Sequence, residues 1–203
     1  VYSFDGEDTS SSGELALLAD LAGIEVAKLY GFVAELKSRS VIQSRGRWRA
    51  LLPHAIANRL AAQAFERIPL DRMDSFCASL PLRLKKSFSR RLGYLHDNDQ
   101  SRRAVERWLQ PDGPLGDLLE ADDDAAHILR NIAPVSPEAV LRRIESEIDG
   151  PNSAILLHPR TSHRWQLTMI LKSLAYAPEL FDRATKALAR FVAAETPDEN
   201  HNS

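Results

Sequence analysis

The chain has 203 residues, of which 44% are hydrophobic, so it is long enough for one large domain or two small ones. Its formal net charge of -2 excludes a global field that would draw it to nucleic acid or to an acidic membrane, and no apolar run approaches the roughly 18 residues that cross a bilayer. A single cysteine, Cys77, excludes an internal disulfide and favours a reducing compartment, so we expect a cytoplasmic protein without a membrane partner.

The N-terminal part of the chain predicts two helices. Residues 1–12 are polar and are predicted to be disordered or a linker, and because the chain lacks a starting Met we expect a fragment. Ser11 and Glu14 have the spacing of a capping box, and Gly23 supplies a helix end. A second helix follows, and an apolar stripe marks its predicted inner face: Val26, Leu29, Tyr30, Val33 and Leu36.

The next segment predicts a small hairpin and a third helix. Two short strands at 41–43 and 48–52 flank a basic turn that contains Gly46. Pro53 suits the first turn of a helix that runs to about residue 67. Four residues are predicted to face inward from it: Ala57, Leu60, Ala61 and Ala64. This order of elements predicts a winged-helix domain over residues 13–68 with a two-stranded wing.

From residue 70 onward the sequence predicts only helices, with a domain boundary near 67–70. The predicted helices cover 71–80, 82–94, 101–109, 122–132, 137–148, 165–174 and 178–191, with a loop over 149–162. Short links between helices indicate a solenoid-like arm over residues 69–194, although no exact repeat is present. The polar residues 195–203 are predicted to be a disordered tail. The predicted fold class is therefore mainly α.

No set of residues in the sequence indicates catalysis or a metal site. There is no phosphate-binding loop and no paired-cysteine spacing, and the six histidines are scattered. The acidic run that begins at Asp122 is predicted to stabilise a helix N-terminus rather than to hold an ion. Cys77 is predicted to be a buried, inert thiol, because nothing near it in sequence would lower its pKa. We therefore expect no catalytic residue and no metal in this chain.

Two stretches of the sequence are basic and free of acidic residues. The first spans 36–65 and contains six cationic side chains: Lys37, Arg39, Arg45, Arg47, Arg49 and Arg59. Strand alternation would place Arg45, Arg47 and Arg49 on one face, as a surface for phosphates or for a neighbouring domain. The second spans 75–96 and contains five more: Arg83, Lys85, Lys86, Arg90 and Arg91. The negative net charge disfavours the nucleic-acid interpretation.

His54 is the strongest single candidate for a ligand-binding residue. It lies where the second predicted wing strand meets the third helix. A histidine near a helix start is most often a structural hydrogen-bonding group. Because a helix N-terminus attracts anions, a histidine there could also donate to a phosphate oxygen from a neighbouring domain.

The segment RGRWRALLPHAIANRLA resembles the winged-helix domain of the signal-transduction ATPases with numerous domains, the class that includes plant resistance and animal apoptosome ATPases. Those proteins carry a Met-His-Asp motif at the end of the wing. Here Pro53, His54 and Ala55 occupy that place, with Pro instead of Met and Ala instead of Asp, and Leu60-Ala61 matches the following helix. The resemblance implies that His54 contacts the β-phosphate of ADP in an intact parent protein.

Helical phrases such as LPLRLKKSFSRRLGYLHD and NIAPVSPEAVLRRIE resemble the region downstream of the winged helix in bacterial members of this class, which include antiphage sensors. The resemblance implies a regulatory fragment that performs no catalysis itself, with ADP or ATP bound by the parent. Its partners would be an upstream nucleotide-binding domain and a downstream sensor domain of the same chain, with oligomerisation on activation.

The alternative hypothesis is a DNA-binding winged-helix regulator with a helical dimerisation or ligand-binding domain. In that case the three wing arginines would contact phosphates and the helix over 24–37 would enter the major groove. The mixed charges on that helix, Glu25, Lys28, Glu35 and Lys37, disfavour groove binding. An independent enzyme is the least supported hypothesis, because no acid, base or nucleophile set can be assembled.

Overall fold

The computed structural model describes residues 1–118, 122–158 and 164–194. Within these ranges the chain is mainly helical, which confirms the predicted class, and it has one small antiparallel sheet. It divides into two compact units, Val1–Ala104 (unit 1) and Val105–Ser203 (unit 2). The boundary predicted near residues 67–70 lies inside unit 1 and stays a prediction about that unit. Among the described residues, no helix combines the length and apolar character needed to cross a membrane.

Unit 1 contains three strands and five complete helices among its described residues. The strands are β1 (Phe4–Asp5), β2 (Ile42–Arg45) and β3 (Trp48–Leu51). The helices are α1 (Glu14–Ala22), α2 (Val26–Ser38), α3 (His54–Arg67), α4 (Leu70–Ser79) and α5 (Leu82–Leu92). A further helix, α6 (Asp99–Trp108), runs across the division between the units.

The sheet of unit 1 has a third strand in addition to the predicted hairpin. The strand order is β1-β3-β2, all antiparallel, and Gly46 has φ 56° in the turn between β2 and β3. β1 lies within the segment predicted to be disordered or a linker, and Phe4 and Asp5 pair with Arg49 and Trp48. A strand of two residues is too short for a periodic pattern in sequence, so only its pairing partner defines it.

The hydrophobic core of unit 1 uses different helix faces from those predicted. Leu15, Val33 and Ile42 form one buried cluster, against which five half-buried side chains pack: Phe4, Val26, Leu29, Leu36 and Leu51. Tyr30, predicted to belong to the inner stripe of α2, is 47% exposed. Val26, Leu29, Val33 and Leu36 make the contacts of α2 with this cluster, so the buried face of α2 is narrower than predicted.

Helix α3 also presents a different face to the core. Leu60 is 49% exposed and Ala64 is exposed, although both were predicted to face inward, whereas Ala57 and Phe65 are buried. Phe65 stacks on Phe88 of α5 at a centroid distance of 5.9 Å. This large aromatic contact fixes the rotation of α3 and turns the side of Leu60 toward solvent.

The predicted capping box at the start of α1 does not form. Gly13 occupies the N-cap position, and no side chain caps the helix. The Glu14 carboxylate instead accepts a hydrogen bond from the Asp5 amide at 2.6 Å and pairs with Arg83 of α5. Glu14 therefore binds groups from other parts of the fold instead of capping its own helix. Pro53 likewise precedes α3 as its N-cap residue rather than lying inside the first turn.

Unit 2 consists of helices among its described residues. They are α7 (Asp123–Ile132), α8 (Pro137–Ile148), α9 (Ser153–Leu157), α10 (Arg164–Leu174) and α11 (Phe181–Ala193). Helix α10 packs against α7, α8 and α11, so the helices form a closed core and not only contacts between chain neighbours. Asp122 caps α7 by accepting a hydrogen bond from the Ala125 amide at 2.7 Å, which confirms the role predicted for the acidic run.

One helix of unit 2 was not predicted. Helix α9 lies within the segment 149–162 that was predicted to be a loop. The last four residues of that predicted loop, 159–162, and the predicted tail, 195–203, lie outside the described residues.

Candidate functional site

His54 is the first residue of α3, and its side chain lies at the surface. The Tyr2 hydroxyl is 3.1 Å from His54 Nε2. The two rings also stack, with centroids 5.0 Å apart and an interplanar angle of 22°. The N-terminal segment therefore supplies the direct partner of a residue 52 positions later in the chain.

Helix α5 adds two guanidinium groups and a second tyrosine to this site. The guanidinium carbons of Arg90 and Arg91 lie 4.0 and 5.1 Å from the Tyr2 ring centroid. Tyr94, just beyond the helix end, stacks near Tyr2 with centroids 6.4 Å apart and an interplanar angle of 26°. We call these five residues the His54 cluster: Tyr2, His54, Arg90, Arg91 and Tyr94.

Arg91 is the buried member of the His54 cluster. Its side chain donates to Asn58 Oδ1 of α3 and to the Val1 carbonyl oxygen, the latter at 3.3 Å. Burial lowers the pKa of Arg91 from its ordinary value, because desolvation disfavours the charged guanidinium. Its two acceptors offset part of that cost. Arg91 thus connects α5 to α3, while Arg90 is exposed.

The position of Tyr2 is fixed by its backbone. The Tyr2 and Ser3 amides donate to Ser87 Oγ at 3.1 and 2.8 Å, and Ser87 Oγ donates to the Ser3 carbonyl at 2.5 Å. Arg83 donates to the same carbonyl at 3.3 Å. Arg83, Ser87 and Arg91 are four residues apart, so they form one stripe along α5 that holds the N-terminal segment in place.

The three wing arginines do not share a face. Arg45 lies opposite Trp48 in the β2–β3 register, whereas Arg49 lies opposite Ser44. Residues directly opposite each other in an antiparallel pair point to the same side of the sheet, so Arg45 and Arg49 point to opposite sides. The alternation inferred from sequence is wrong here because a turn separates the two strands, and Arg47 lies in that turn.

Arg49 is fully engaged within unit 1. It is only 6% exposed, and it donates to Glu7 Oε1 at 2.7 Å, to the Trp48 carbonyl at 3.1 Å and to the Gly46 carbonyl. A Cβ atom added to Gly6 would lie 2.3 Å from Arg49 Cγ, so the glycine permits this close approach. Arg49 stabilises the contact between the N-terminal segment and the hairpin and does not face an external phosphate.

The remaining basic candidates lie apart from His54 in the contacts that the structure describes. Arg47 pairs with Asp5 Oδ2 at 3.3 Å and lies over the Trp48 ring. Arg39 pairs with Glu35 at 2.5 Å, and Lys37 and Arg45 are exposed. The structure instead joins the two acid-free stretches of the sequence at the His54 cluster. Tyr2 and Tyr94 carried no sequence signal for this site, because only the fold makes them neighbours of His54.

The remaining candidates for chemistry are the thiol of Cys77 and groups of potential metal ligands. Burial, followed by the charge of Asp74, raises the pKa of the Cys77 thiol well above its ordinary range, so the reactive thiolate is disfavoured. Among the described residues, no group of three potential ligands could hold a metal ion.

Comparison with known proteins returned no relative. No protein-family model, curated protein or solved structure matches the chain.

Proposed function

We propose that the chain is a non-catalytic regulatory part of a nucleotide-switch ATPase of the signal-transduction class with numerous domains. In this proposal His54 contacts the β-phosphate of ADP held by an upstream nucleotide-binding domain. The observation that carries it is the exposed position of His54 at the first residue of a 14-residue helix, where it shares the Tyr2 ring as a neighbour with the exposed guanidinium of Arg90.

The chemistry of this position suits an anion. The N-terminus of a helix carries unsatisfied N–H groups and a partial positive charge. When the Tyr2 hydroxyl donates to Nε2, the neutral imidazole carries its proton on Nδ1, which is then available to donate to a phosphate oxygen. Arg90 adds a full positive charge within the same cluster.

The architecture of unit 1 supports a winged-helix assignment for its first half. The element order β1, α1, α2, β2, β3 places a helix pair before a hairpin, and β1 adds to the hairpin through β3. The motif resemblance at residues 53–55 falls at the end of that hairpin, where the family carries its phosphate-contacting histidine.

The proposed mechanism is a shift between two conformations. ADP would link His54 to the nucleotide-binding domain and stabilise the inactive arrangement. Replacement of ADP by ATP would remove that contact, so the population would shift toward an arrangement in which the winged-helix region moves away. The helices of unit 2 would transmit this movement to a downstream sensor domain in a signalling or defence protein.

The test uses the complete gene product and compares His54→Ala with His96→Ala. His96 is also exposed in unit 1 and pairs with the adjacent Asp97 at 3.4 Å. Loss of one hydrogen bond to a charged phosphate costs roughly 1.5–3 kcal/mol, so we expect His54→Ala to weaken ADP binding at least about tenfold. ADP released from the purified, denatured protein is quantified by chromatography, together with basal ATP hydrolysis. Equal ADP content in both variants would contradict the proposal, as would a gene product without an ATP-binding portion.

The alternative of a duplex-DNA regulator finds less support in the geometry. Arg49 is buried against Glu7, and Arg47 is paired with Asp5, so two of the three wing arginines already have protein partners.

A further inference from the structure

The two units carry opposite net charges. Residues 1–104 contain 16 Lys and Arg against 12 Asp and Glu, a net +4, whereas residues 105–203 contain 10 against 16, a net -6. The overall charge of -2 therefore conceals a basic unit, whose field favours anionic partners.

Three aromatic rings of the His54 cluster follow one another at nearly parallel angles. Tyr94 stacks near Tyr2, and Tyr2 stacks on His54, with interplanar angles of 26° and 22°. Tyr94 is 49% exposed and His54 is also exposed, so both rings present surface to solvent. Parallel, accessible rings are the arrangement on which nucleic-acid bases stack.

Cationic side chains follow the same surface of α5. Lys86 and Arg90 are four residues apart on α5, so they form a second stripe with a rise of about 6 Å between them, and Tyr94 lies in the turn beyond the helix end. Arg90 contacts the Tyr2 ring, and no carboxylate of the described residues pairs with it. The sequence from 75 to 96, which contains this stripe, has no acidic residue.

We propose that this surface binds single-stranded nucleic acid. Bases would stack on Tyr94 and His54, while Arg90 contacts a phosphate of the same strand. A single strand fits better than a duplex because stacking on a side chain requires an unpaired base whose face is accessible. It fits better than an acidic peptide because three of the five residues of the cluster offer rings. This activity extends beyond the proposed nucleotide switch and requires no ATP-binding domain.

The test uses the 203-residue chain and a fluorescently labelled oligothymidine of about 15 nucleotides, a length within the range that one binding module covers. Fluorescence anisotropy across a salt series gives the dissociation constant and its salt dependence. We expect Tyr94→Ala to weaken binding about tenfold, the loss of one base-stacking contact. Arg90→Ala should weaken binding and reduce the slope of log K against log salt by about 0.7, the value for one phosphate contact on a single strand.

Arg102→Ala is the matched control. Arg102 is an exposed arginine of unit 1 that pairs with Asp99 at 3.0 Å, so its replacement removes one positive charge from a residue outside the cluster as defined. Circular dichroism of each variant verifies folding, and Arg90→Gln provides a second, bulkier replacement. The proposal is overturned if the chain does not bind the oligonucleotide at low salt or if Arg102→Ala weakens binding as much as Arg90→Ala. Equal binding of a duplex, or displacement by thymidine monophosphate at the same base concentration, would also overturn it. Failure here leaves the ADP measurement on His54 unaffected.

Discussion

Units 1 and 2 are stabilised in different ways. Unit 2 buries a continuous set of large apolar side chains, among which Leu141, Ile144 and Ile170 are fully inaccessible. Unit 1 depends more on polar contacts that attach its N-terminal segment, including the Arg49–Glu7 and Arg83–Glu14 pairs. Its helices α2 and α3 keep large apolar side chains at the surface. Both proposed activities lie on unit 1 because the His54 cluster lies there.

The largest effect is expected in the core of unit 2. Leu141 is 0% exposed, so Leu141→Ala should destabilise the unit by about 2–5 kcal/mol through lost burial and an unfilled cavity. Leu60→Ala removes the same atoms from the exposed side of α3 and should cost under about 1 kcal/mol. Urea denaturation followed by circular dichroism measures both. Similar costs for the two variants would contradict the contrast between a buried core in unit 2 and an open helix face in unit 1.

An intermediate effect is expected from the polar contacts of unit 1. Arg49→Ala removes a buried guanidinium that satisfies Glu7 and two carbonyl oxygens, and we expect a loss of about 2 kcal/mol. Glu7→Gln should cost well under 1 kcal/mol, because the Glu7 side chain is mostly exposed and can be solvated. Thermal denaturation of both variants tests this order. A smaller loss for Arg49→Ala than for Glu7→Gln would show that the N-terminal segment does not depend on Arg49.

The smallest effect is expected at the surface of unit 2. Arg183 of α11 bonds Glu138 at 2.8 Å and Glu145 at 2.5 Å, both on α8. Its hydrogen bonds are the main cause that lowers the pKa of Glu138 below its ordinary value of 4.5. A carboxylate with a lowered folded-state pKa stabilises the fold above its ordinary pKa, and this contribution disappears as the pH falls through the lowered value.

Arg183→Ala should therefore cost about 0.5 kcal/mol of stability at pH 7, because the paired groups are partly exposed. On acidification, the variant should lose less stability than the unaltered protein does. Lys186→Ala is the control, since it removes a positive charge from the exposed side of the same helix. Urea denaturation between pH 7 and pH 3 measures both variants. If the stability of the Arg183 variant falls as much on acidification as that of the unaltered protein, the ion pairs of Arg183 do not stabilise unit 2.

Helix positions were the part of the fold that sequence predicted best. The helices α7, α8 and α10 lie close to their predicted bounds, because their apolar spacing and start signals are local properties of the chain. Helix rotation was predicted less well. Tyr30 and Leu60 satisfy helical periodicity, yet the core selects other residues of the same helices.

The amino-acid sequence alone determined the helical class, the hairpin around Gly46, the cap at Asp122 and the two basic, acid-free stretches. Only the tertiary structure decided that Glu14 binds Arg83 instead of capping α1, that Arg49 is buried, and that Tyr2, His54 and Arg90 meet. The physical reason is the range of the interactions. Periodicity and capping act within a few residues, whereas charge pairing and ring stacking join groups whose proximity depends on how the whole unit packs.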